Sequence, residues 1–514
     1  GRLDGSRKRE GAMKLVHSAR DYDRQIQRAE REARVLRVNA KQVGMGLDSW
    51  EAEDEKHSLW ALEDKAQALD AEAALMRVQQ VQSLRAALAH KADLVEAHSA
   101  LATYYRSVHE AAEDAGRSLE ARRAEVILRE HAEALPLSDP LRAALARYLD
   151  GTGTMTLHTE PAGAALTLSK FSLRHRRLEL GAPRHLGTSP LYKIPLPMGS
   201  FVVQATLEGY HSVTYPVFNQ RCMEHTGLHP SGAQAPIVML PLGTLSEEDC
   251  YVPAGWCLLG GDRETPNSLP KTRVWVPGFV IKTFPVTHEE YVCFLNALVA
   301  DGLEDIALSH TPKDPNASDA DAGGLAYTRT AEGTFALPKD TGQPYCLPRQ
   351  PVTMVSWRSA RAYAAWYAEQ TGKPWRLPME YEWEKAARGV DGRAYPWGDI
   401  HDPSWSCMKD SHPGDVHIQV VDAFPVDRSI YGVRGTAGNT RDWCLDRFRD
   451  EGPILDNGCL QPPTIEDLED QGFKSTRGGS YGNSASRARS ADRDWWFPER
   501  SYIGRGFRLA WSVD

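Results

Sequence analysis

The spacing of apolar residues predicts three stretches with different structure. Up to about residue 150, apolar residues recur at three- and four-residue steps among charged residues, as at Leu59, Leu62 and Ala66, which predicts amphipathic helices. From about residue 153, apolar and polar residues alternate, which predicts short strands. A third stretch begins near residue 250, where Thr287 and Glu290 are spaced as a capping box and so predict the start of a helix.

Residues 1–150 are predicted to form a helical spacer. Gly116 interrupts the periodic pattern and is predicted to separate two helices. The segment from Asp93 to His131 resembles a tetratricopeptide-type hairpin, but a stable solenoid usually needs three such units and one is clear here. A partner-binding groove is the alternative, and we favour the spacer.

Residues 151–245 are predicted to be all-β. Met155–Thr159 and Ala165–Leu168 alternate like strands, with a turn between them, and Gly199–Leu207 alternates again. The order Pro-x-Gly-Ala, Gly-x-x-Pro-Leu, Gly-x-Phe, Gly-Tyr over residues 153–242 resembles the PEGA domain, a small β-sandwich. That resemblance implies a structural or surface-binding role.

Residues 246–514 carry a series of short motifs. They are Val252–Trp256, Trp275–Ile281, Pro285–Tyr291, Gln350–Trp357, Arg376–Gly389, Tyr395–Gly398 and Gly438–Trp443. In this order they resemble the sulfatase-modifying-factor family, which includes the formylglycine-generating enzyme. The resemblance implies an α+β fold with a C-type-lectin-like core and much loop.

Two glycine-containing motifs frame the last forty residues. Gly478-Gly479 before Tyr481 and Gly506 before Phe507–Trp511 are each predicted to open a strand. The stretch between them is rich in Arg, Ser, Asp and Trp without an amphipathic period. We therefore predict that it is an exposed loop surface.

Composition limits the classes of function. With 514 residues the chain is expected to form two to four domains. A net charge of -9 argues against general nucleic-acid or membrane binding, and neither a bilayer-spanning apolar run nor a signal peptide is found. The eight cysteines form no CxxC pair, so reduced thiols and a cytoplasmic location are expected.

The catalytic groups that the resemblance implies are missing. Oxidases of the family use a cysteine pair in the C-terminal stretch to bind copper, but here the last cysteine is Cys459. Neutral amide and hydroxyl groups cannot replace thiolates for copper(I), so we expect neither copper nor iron. The iron-dependent branch uses an H-x3-H-x-E motif that is absent, and His109 with Glu113 is better explained as an i,i+4 pair.

Two other metal sites are considered. Cys222, His225 and His229 have a C-x2-H-x3-H spacing that offers three zinc ligands, whereas a structural zinc site wants four, so we favour a metal-free loop. The family resemblance also implies structural calcium, with Asp442 at the carboxylate position and carbonyls of Gly438 and Thr440 as companions. A plain hydrogen-bonding role for Asp442 is the equal alternative.

A ligand-binding surface is predicted between the two framing motifs, because Trp, Tyr and Arg dominate binding hot spots. In the alternative, Trp495 and Trp496 close the core while Arg487, Arg489 and Arg493 bridge loops with Asp492 and Asp494. The predicted ligand-binding residues are Tyr481, Asn483, Ser484, Ser486, Arg487, Trp495, Trp496 and Tyr502.

These observations predict a non-catalytic binding and scaffolding region whose ligand is a protein or peptide. The order of the three stretches resembles the region that follows the kinase domain in certain large bacterial serine/threonine kinases. Because none of the kinase signatures is found and Gly1 replaces an initiator Met, we expect a fragment of a signalling protein with any kinase domain upstream of Gly1. The rivals are a divergent metal-dependent oxidase or sulfoxide-synthase-like enzyme using His401, His412 and His417, and a purely architectural domain.

Overall fold

A computed structural model describes residues 2–47, 51–313, 324–338, 346–414 and 416–513. The chain divides into two compact units, Gly1–Gly151 and Thr152–Asp514. The first unit ends within one residue of the helical stretch outlined above. A further division of the second unit at residue 245 stays a prediction.

The first unit is helical, as the periodic pattern predicts. Its helices are α1 (Arg2–Gly44), α2 (Glu53–His90), α3 (Val95–Asp114), α4 (Ser118–Glu133) and α5 (Pro140–Asp150). Helices α1 and α2 run antiparallel, since Glu30 pairs with Arg77 and Arg37 pairs with Asp70. Gly116 lies between α3 and α4 with a φ of +69°, as predicted for a residue that separates two helices.

The second unit begins with a series of strands. They are β1 (Gly153–Leu157), β2 (Thr159–Glu160), β3 (Ala165–Arg174), β4 (Arg177–Leu180), β5 (Arg184–Thr188), β6 (Leu191–Leu196), β7 (Gly199–Thr206), β8 (Val213–Asn219), β9 (Glu224–His225) and β10 (Ile237–Val238). Strands β4, β3, β7 and β8 pair in that order with β5 also on β3, while β6-β1-β9 and β10-β2 form smaller sheets. Alternate side chains such as Met155, Leu166 and Val203 face one apolar core.

The remainder of the unit mixes helices and strands. The helices are α6 (His288–Ala300), α7 (Glu304–His310), α8 (Trp357–Thr371), α9 (Glu380–Arg388) and α10 (Ile465–Glu469), with 3-10 turns at Pro403–Trp405 and Ala485–Arg487. The strands are β11 (Asp249–Val252), β12 (Gly255–Leu259), β13 (Thr272–Val276), β14 (Phe279–Lys282), β15 (Thr328–Arg329), β16 (Phe335–Ala336), β17 (Arg441–Arg447), β18 (Leu455–Asp456), β19 (Cys459–Leu460), β20 (Lys474–Arg477), β21 (Arg493–Trp496), β22 (Arg505–Gly506) and β23 (Ala510–Ser512).

These strands form short sheets around α9. The orders are β11-β14-β23, β12-β13-β19-β18, β21-β20-β17-β22 and the pair β15-β16. Residues of the first strand series contact this region directly. The Ser200 side chain donates through Oγ to Asp391 Oδ2 at 2.7 Å, and the Leu178 backbone amide donates to the Trp397 carbonyl at 2.8 Å. These contacts join the two parts into one compact unit.

The capping box at the start of α6 is confirmed. Thr287 accepts a hydrogen bond from the Glu290 amide, and the Glu290 carboxylate accepts one from the Thr287 amide at 2.7 Å. Both contacts satisfy backbone amides that the first turn of a helix leaves unpaired.

The C-terminal frame differs from the prediction. Strand β20 ends at Arg477, before the two glycines, because Gly478 has a φ of +84° and a side chain there would contact Trp383 at 3.0 Å. The second predicted strand is divided between β22 and β23. The exposed-loop prediction is wrong for residues 488 and 490–493, which are buried, and β21 crosses this stretch.

Among the described residues, no helix is both long and apolar enough to cross a lipid bilayer.

Candidate functional site

Helix α9 lies at the centre of the second unit, and all nine of its residues are buried. Its polar members include Glu380, Glu384, Lys385 and Arg388. Burying charges costs several kcal/mol for each ion unless a partner compensates it. The surroundings of α9 therefore have to supply such partners.

Glu384 forms the densest set of these contacts. Its carboxylate accepts the Gly260 amide at 2.8 Å and pairs with the guanidinium groups of Arg388 and Arg477. Burial alone raises the pKa of Glu384, but the two arginines outweigh it and hold the pKa below its ordinary value. The carboxylate is thus ionised and links α9 to β20.

Glu380 links the same helix to β21. Its carboxylate accepts Arg493 Nε at 2.5 Å and the Ser475 hydroxyl at 2.8 Å. The Glu380 amide donates to Asp446 Oδ2 at 2.6 Å. Burial and then the Glu380 charge raise the pKa of Asp446 to about 7, so this interior contains a carboxyl that titrates near neutrality.

The predicted calcium ligands lie at and just before the start of β17. Asp442 Oδ2 accepts hydrogen bonds from Trp383 Nε1 at 2.7 Å and Arg508 Nε at 2.5 Å, while the Gly438 carbonyl accepts the Thr440 amide at 2.9 Å. Asp442 Oδ1 is buried without a hydrogen-bond partner among the described residues. Since Arg508 already places a positive charge on this carboxylate, the geometry favours the hydrogen-bonding role, and calcium stays a prediction.

The structure separates the predicted ligand-binding residues into two groups. The first group occupies the turn that precedes β21, where Ser484 is exposed and the other members are half-buried. The hydroxyl oxygens of its two serines lie 3.0 Å apart. Its members are Tyr481, Asn483, Ser484, Ser486 and Arg487.

The second group is aromatic and lies at the end of β21. Trp495, Phe497 and Tyr502 expose 37%, 39% and 44% of their surface. The ring of Phe473 lies 4.2 Å from that of Trp495 and 4.7 Å from that of Phe497, centroid to centroid. We call the side chains of Phe473, Trp495 and Phe497 the aromatic face, whereas Tyr502 packs against Trp496.

Trp496 contacts the aromatic face through Phe497, with ring centroids 6.4 Å apart. It is half-buried, packs against the main apolar core, and lies 5.8 Å from the ring of Tyr502. At the outer edge, the Arg500 guanidinium stacks over Phe497 at 4.6 Å. The predicted alternative, that both tryptophans close the core, therefore fits Trp496 better than Trp495.

The arginines of this stretch bridge loops, but with other partners than predicted. Arg489 pairs with Asp262 at 2.6 Å and Glu264 at 2.7 Å, and Arg493 pairs with Glu380. The two acids proposed as their partners are paired elsewhere. Asp492 binds Arg441 at 2.7 Å and Asp494 binds Arg505 at 2.8 Å.

The three histidines that the alternative oxidase hypothesis would use lie in different surroundings. His401 Nε2 lies 2.9 Å from the sulfur of Met408, and the ring of His412 packs on Phe424 with centroids 6.1 Å apart. The carbonyl of His417 accepts a hydrogen bond from Gln419 Nε2 at 3.2 Å. Across the described ranges, no three His, Cys, Asp or Glu side chains are grouped in a way that would hold a metal ion.

Phe473 and Arg500 were missed by the sequence-based prediction. Phe473 precedes the glycine pair and contacts Trp495 only because β20 and β21 are antiparallel, with Ser475 opposite Trp495. The run Trp495-Trp496-Phe497 was the available signal for the position of the face.

Comparison with known proteins identifies the family. Residues 242–513 match the model of the sulfatase-modifying factor enzyme 1-like domain. The chain belongs to this family, and the β-rich part that follows the helical unit contains its domain. The sulfatase-modifying-factor expectation is thereby confirmed.

Relatives within this region carry different functions. The chain is 31% identical to a hercynine oxygenase of Mycolicibacterium smegmatis over 54% of this chain and 64% of the relative. It is 36% identical to a formylglycine-generating enzyme of Streptomyces coelicolor over 37% of this chain and 59% of the relative. It is 27% identical to a serine/threonine-protein kinase of Chlamydia trachomatis over 52% of this chain and 39% of the relative. The chain thus spans less than two thirds of the length of each of these relatives.

Proposed function

We propose that the family domain of this chain is a non-catalytic binding module, and that its ligand is a protein or peptide segment. The aromatic face is the binding surface, and the helical unit acts as a spacer. The whole is the kinase-associated, scaffolding region of a bacterial signalling protein in the cytoplasm. The observation that carries the proposal is the partial exposure of Trp495 and Phe497, whose rings both pack on Phe473.

The distribution of sulfur supports a non-catalytic role. No cysteine follows Cys459 in the sequence, and Cys444 on β17 is fully buried. Burial raises the pKa of the Cys444 thiol well above its ordinary range, which disfavours the thiolate needed for copper binding. Activation of oxygen through paired thiolates lacks its ligands here.

The chemistry of the aromatic face supports a peptide ligand. Large rigid rings supply contact area at a low entropic cost, and an adjacent arginine adds a charged donor. Phe473, Trp495 and Phe497 present such rings side by side, with Arg500 at the edge. The polar turn with Ser484 and Ser486 is a second candidate contact.

The finer fold assignments belong to the same proposal. The small sheets of residues 153–242 are consistent with a PEGA-like sandwich, and the short sheets and long loops around α9 are consistent with a lectin-like domain. The α3–α4 hairpin is consistent with one tetratricopeptide-like unit. The relative from Chlamydia trachomatis supports association with a kinase.

A peptide selection tests the binding role. A random peptide library displayed on phage is selected against the full chain, and the affinity of the selected peptides is measured by fluorescence anisotropy. We expect Trp495→Ala to abolish measurable binding or weaken it strongly, while Tyr192→Ala leaves it unchanged, because Tyr192 is 66% exposed but lies on β6. Selected peptides that bind both variants like the native chain would refute the proposal.

The rival enzyme has its own test. Metal analysis of the purified chain distinguishes a redox enzyme from a binding module. Stoichiometric copper or iron would support the enzyme and contradict the binding module. Melting curves with calcium and with a chelator address Gly438, Thr440 and Asp442, and a calcium-dependent shift that Asp442→Asn removes would establish that site.

A further inference from the structure

A thiol and an imidazole meet in an open pocket away from the aromatic face. Cys459 Sγ on β19 lies 3.4 Å from His229 Nε2, although the two residues are 230 positions apart in the sequence. His229 belongs to the C-x2-H-x3-H segment, and its contact with Cys459 replaces the zinc arrangement considered for that segment. The ring of His229 packs edge-on against Trp275 with centroids 5.2 Å apart, which fixes its orientation.

The hydrogen bonds of His229 define which nitrogen carries the proton. The backbone amide of Ser231 lies 3.1 Å from His229 Nδ1 and can only donate, so Nδ1 accepts. In the neutral imidazole the single N–H proton is therefore on Nε2, which faces Cys459 Sγ. An N–H donor at this position stabilises a thiolate more than a thiol.

The pocket beside the sulfur has room for a small molecule. Its volume is about 480 Å³, within the range of ligand sites in proteins. Trp275 and Pro462 form apolar walls, whereas Ser231, Asn457 and Gln461 offer polar groups. Such mixed walls suit a short molecule with neutral amide or hydroxyl groups, because Asp456 lines the same pocket and none of the described residues that line it is a lysine or arginine.

We propose that Cys459 is a site of reversible thiol–disulfide exchange with a small organic disulfide that occupies this pocket. The Cys459 thiol loses its proton to solvent, and the thiolate attacks one sulfur of the disulfide. A new bond forms between Cys459 Sγ and that sulfur, the original sulfur–sulfur bond breaks, and the second sulfur leaves as a thiolate that takes up a proton. His229 assists by donating its Nε2 proton in a hydrogen bond to the attacking sulfur.

Asp456 opposes this reaction. It is the direct antiparallel neighbour of Cys459 on β18, so both side chains emerge on one face of the hairpin. Burial, followed by the Asp456 carboxylate, raises the pKa of the Cys459 thiol. His229 and Asp456 therefore act in opposite directions on the same sulfur, which gives the proposal two variants of opposite sign.

The experiment measures mixed-disulfide formation on the reduced full chain. Bis(2-hydroxyethyl) disulfide, a small neutral disulfide, serves as the probe, and peptide mapping by mass spectrometry follows each cysteine over time and over a range of pH. We expect Cys459 to form the mixed disulfide in the folded chain although Cys222 and Cys293 are more exposed, and Cys293→Ser serves as the matched control that leaves the Cys459 rate unchanged.

Two substitutions test the role of the neighbours. His229→Phe keeps a ring against Trp275 but removes the donor, so the rate should fall at least about tenfold, the worth of one hydrogen bond to a charged group, and the pH profile should move to higher pH. Asp456→Asn should raise the rate of mixed-disulfide formation at Cys459 and move its pH profile to lower pH. His229→Gln keeps an N–H donor and should recover part of the rate if His229→Phe disturbs folding.

Either of two results would overturn the proposal. In the first, Cys222 and Cys293 form the mixed disulfide while Cys459 stays reduced in the folded chain, which would make the Cys459–His229 contact a structural hydrogen bond. In the second, both neighbouring substitutions leave the rate and the pH profile of Cys459 unchanged. Peptide binding by the aromatic face is unaffected by either result.

Discussion

The interior around α9 and the outer end of β21 use the same kinds of side chain for different purposes. In the interior, Arg477 lies over Trp383 and pairs with the buried carboxylate of Glu384. At the surface, Arg500 lies over Phe497 at 4.6 Å, compared with 5.8 Å for the interior pair, and both surface side chains are exposed. Burial, more than residue type, decides whether a cation and a ring hold the fold together or face a ligand.

The largest effect is expected from breaking the interior pairing. Glu384→Gln keeps the shape of the side chain but leaves Arg388 without a counter-charge and Arg477 with Glu380 alone, at 3.6 Å, so the free energy of unfolding should fall by about 3–5 kcal/mol. Denaturant titration followed by tryptophan fluorescence measures it. The control is Asp422→Asn, which breaks the exposed Arg349–Asp422 pair and should cost no more than about 1 kcal/mol. Equal losses in the two variants would contradict the difference drawn between the regions.

The next largest effect is expected at the aromatic face. Trp495→Ala should weaken a selected peptide by about 2 kcal/mol, or roughly 30-fold in Kd, because a central aromatic residue carries much of the energy of an interface. The free energy of unfolding should fall less than in Glu384→Gln, since this ring is 37% exposed. Anisotropy titration and denaturant titration of the same sample check both statements. A loss of stability with unchanged affinity would assign Trp495 to the core.

The interior should also respond to pH, whereas the face should not. The pKa of Asp446 is about 7 in the folded protein against 3.8 ordinarily, so the folded state holds this proton more tightly. The resulting stabilisation is complete below the ordinary pKa and is lost as pH rises through 7, with a slope of at most about 1.4 kcal/mol per pH unit.

Asp446→Asn stays neutral at every pH and should flatten this dependence. Some slope should remain in the variant, because burial also raises the pKa of Asp427 to about 6. Unfolding free energies measured at several pH values between 4 and 8 test this. An unchanged slope in Asp446→Asn would show that another group carries the titration.

The smallest effect is expected from the exposed cation. Arg500→Gln should weaken peptide binding by about 0.5–1 kcal/mol, as expected for a cation over a ring in water. Arg500→Lys keeps the charge and should lose less, and the same anisotropy assay compares the two. If Arg500→Gln costs more than Trp495→Ala, the charge and not the aromatic area dominates recognition.

Local features of the fold were predictable from the sequence. The capping box at Thr287 and Glu290 and the helix break at Gly116 depend on residues that are close together in the chain. The family motifs were equally readable, because each is a short run with its own backbone requirements.

Long-range pairings were not predictable in the same way. Arg489 meets Asp262 across 227 positions, and Cys459 meets His229 across 230. Neither pair leaves a periodic signal, since the fold alone brings the partners together. The prediction of a strand after Gly479 was wrong for a related reason. Trp383 packs against Gly478 and leaves no room for a side chain there, and this contact cannot be read from the local sequence.

The complete burial of α9 has a consequence for how this domain tolerates change. Most helices of a globular protein have an outward side on which substitutions are accepted every three or four positions. Helix α9 has no such side, so a saturation mutagenesis map should display residues 380–388 as one uninterrupted intolerant block. Tolerated substitutions should instead map to the edges of the domain, where a change in the binding surface leaves the packing of α9 intact.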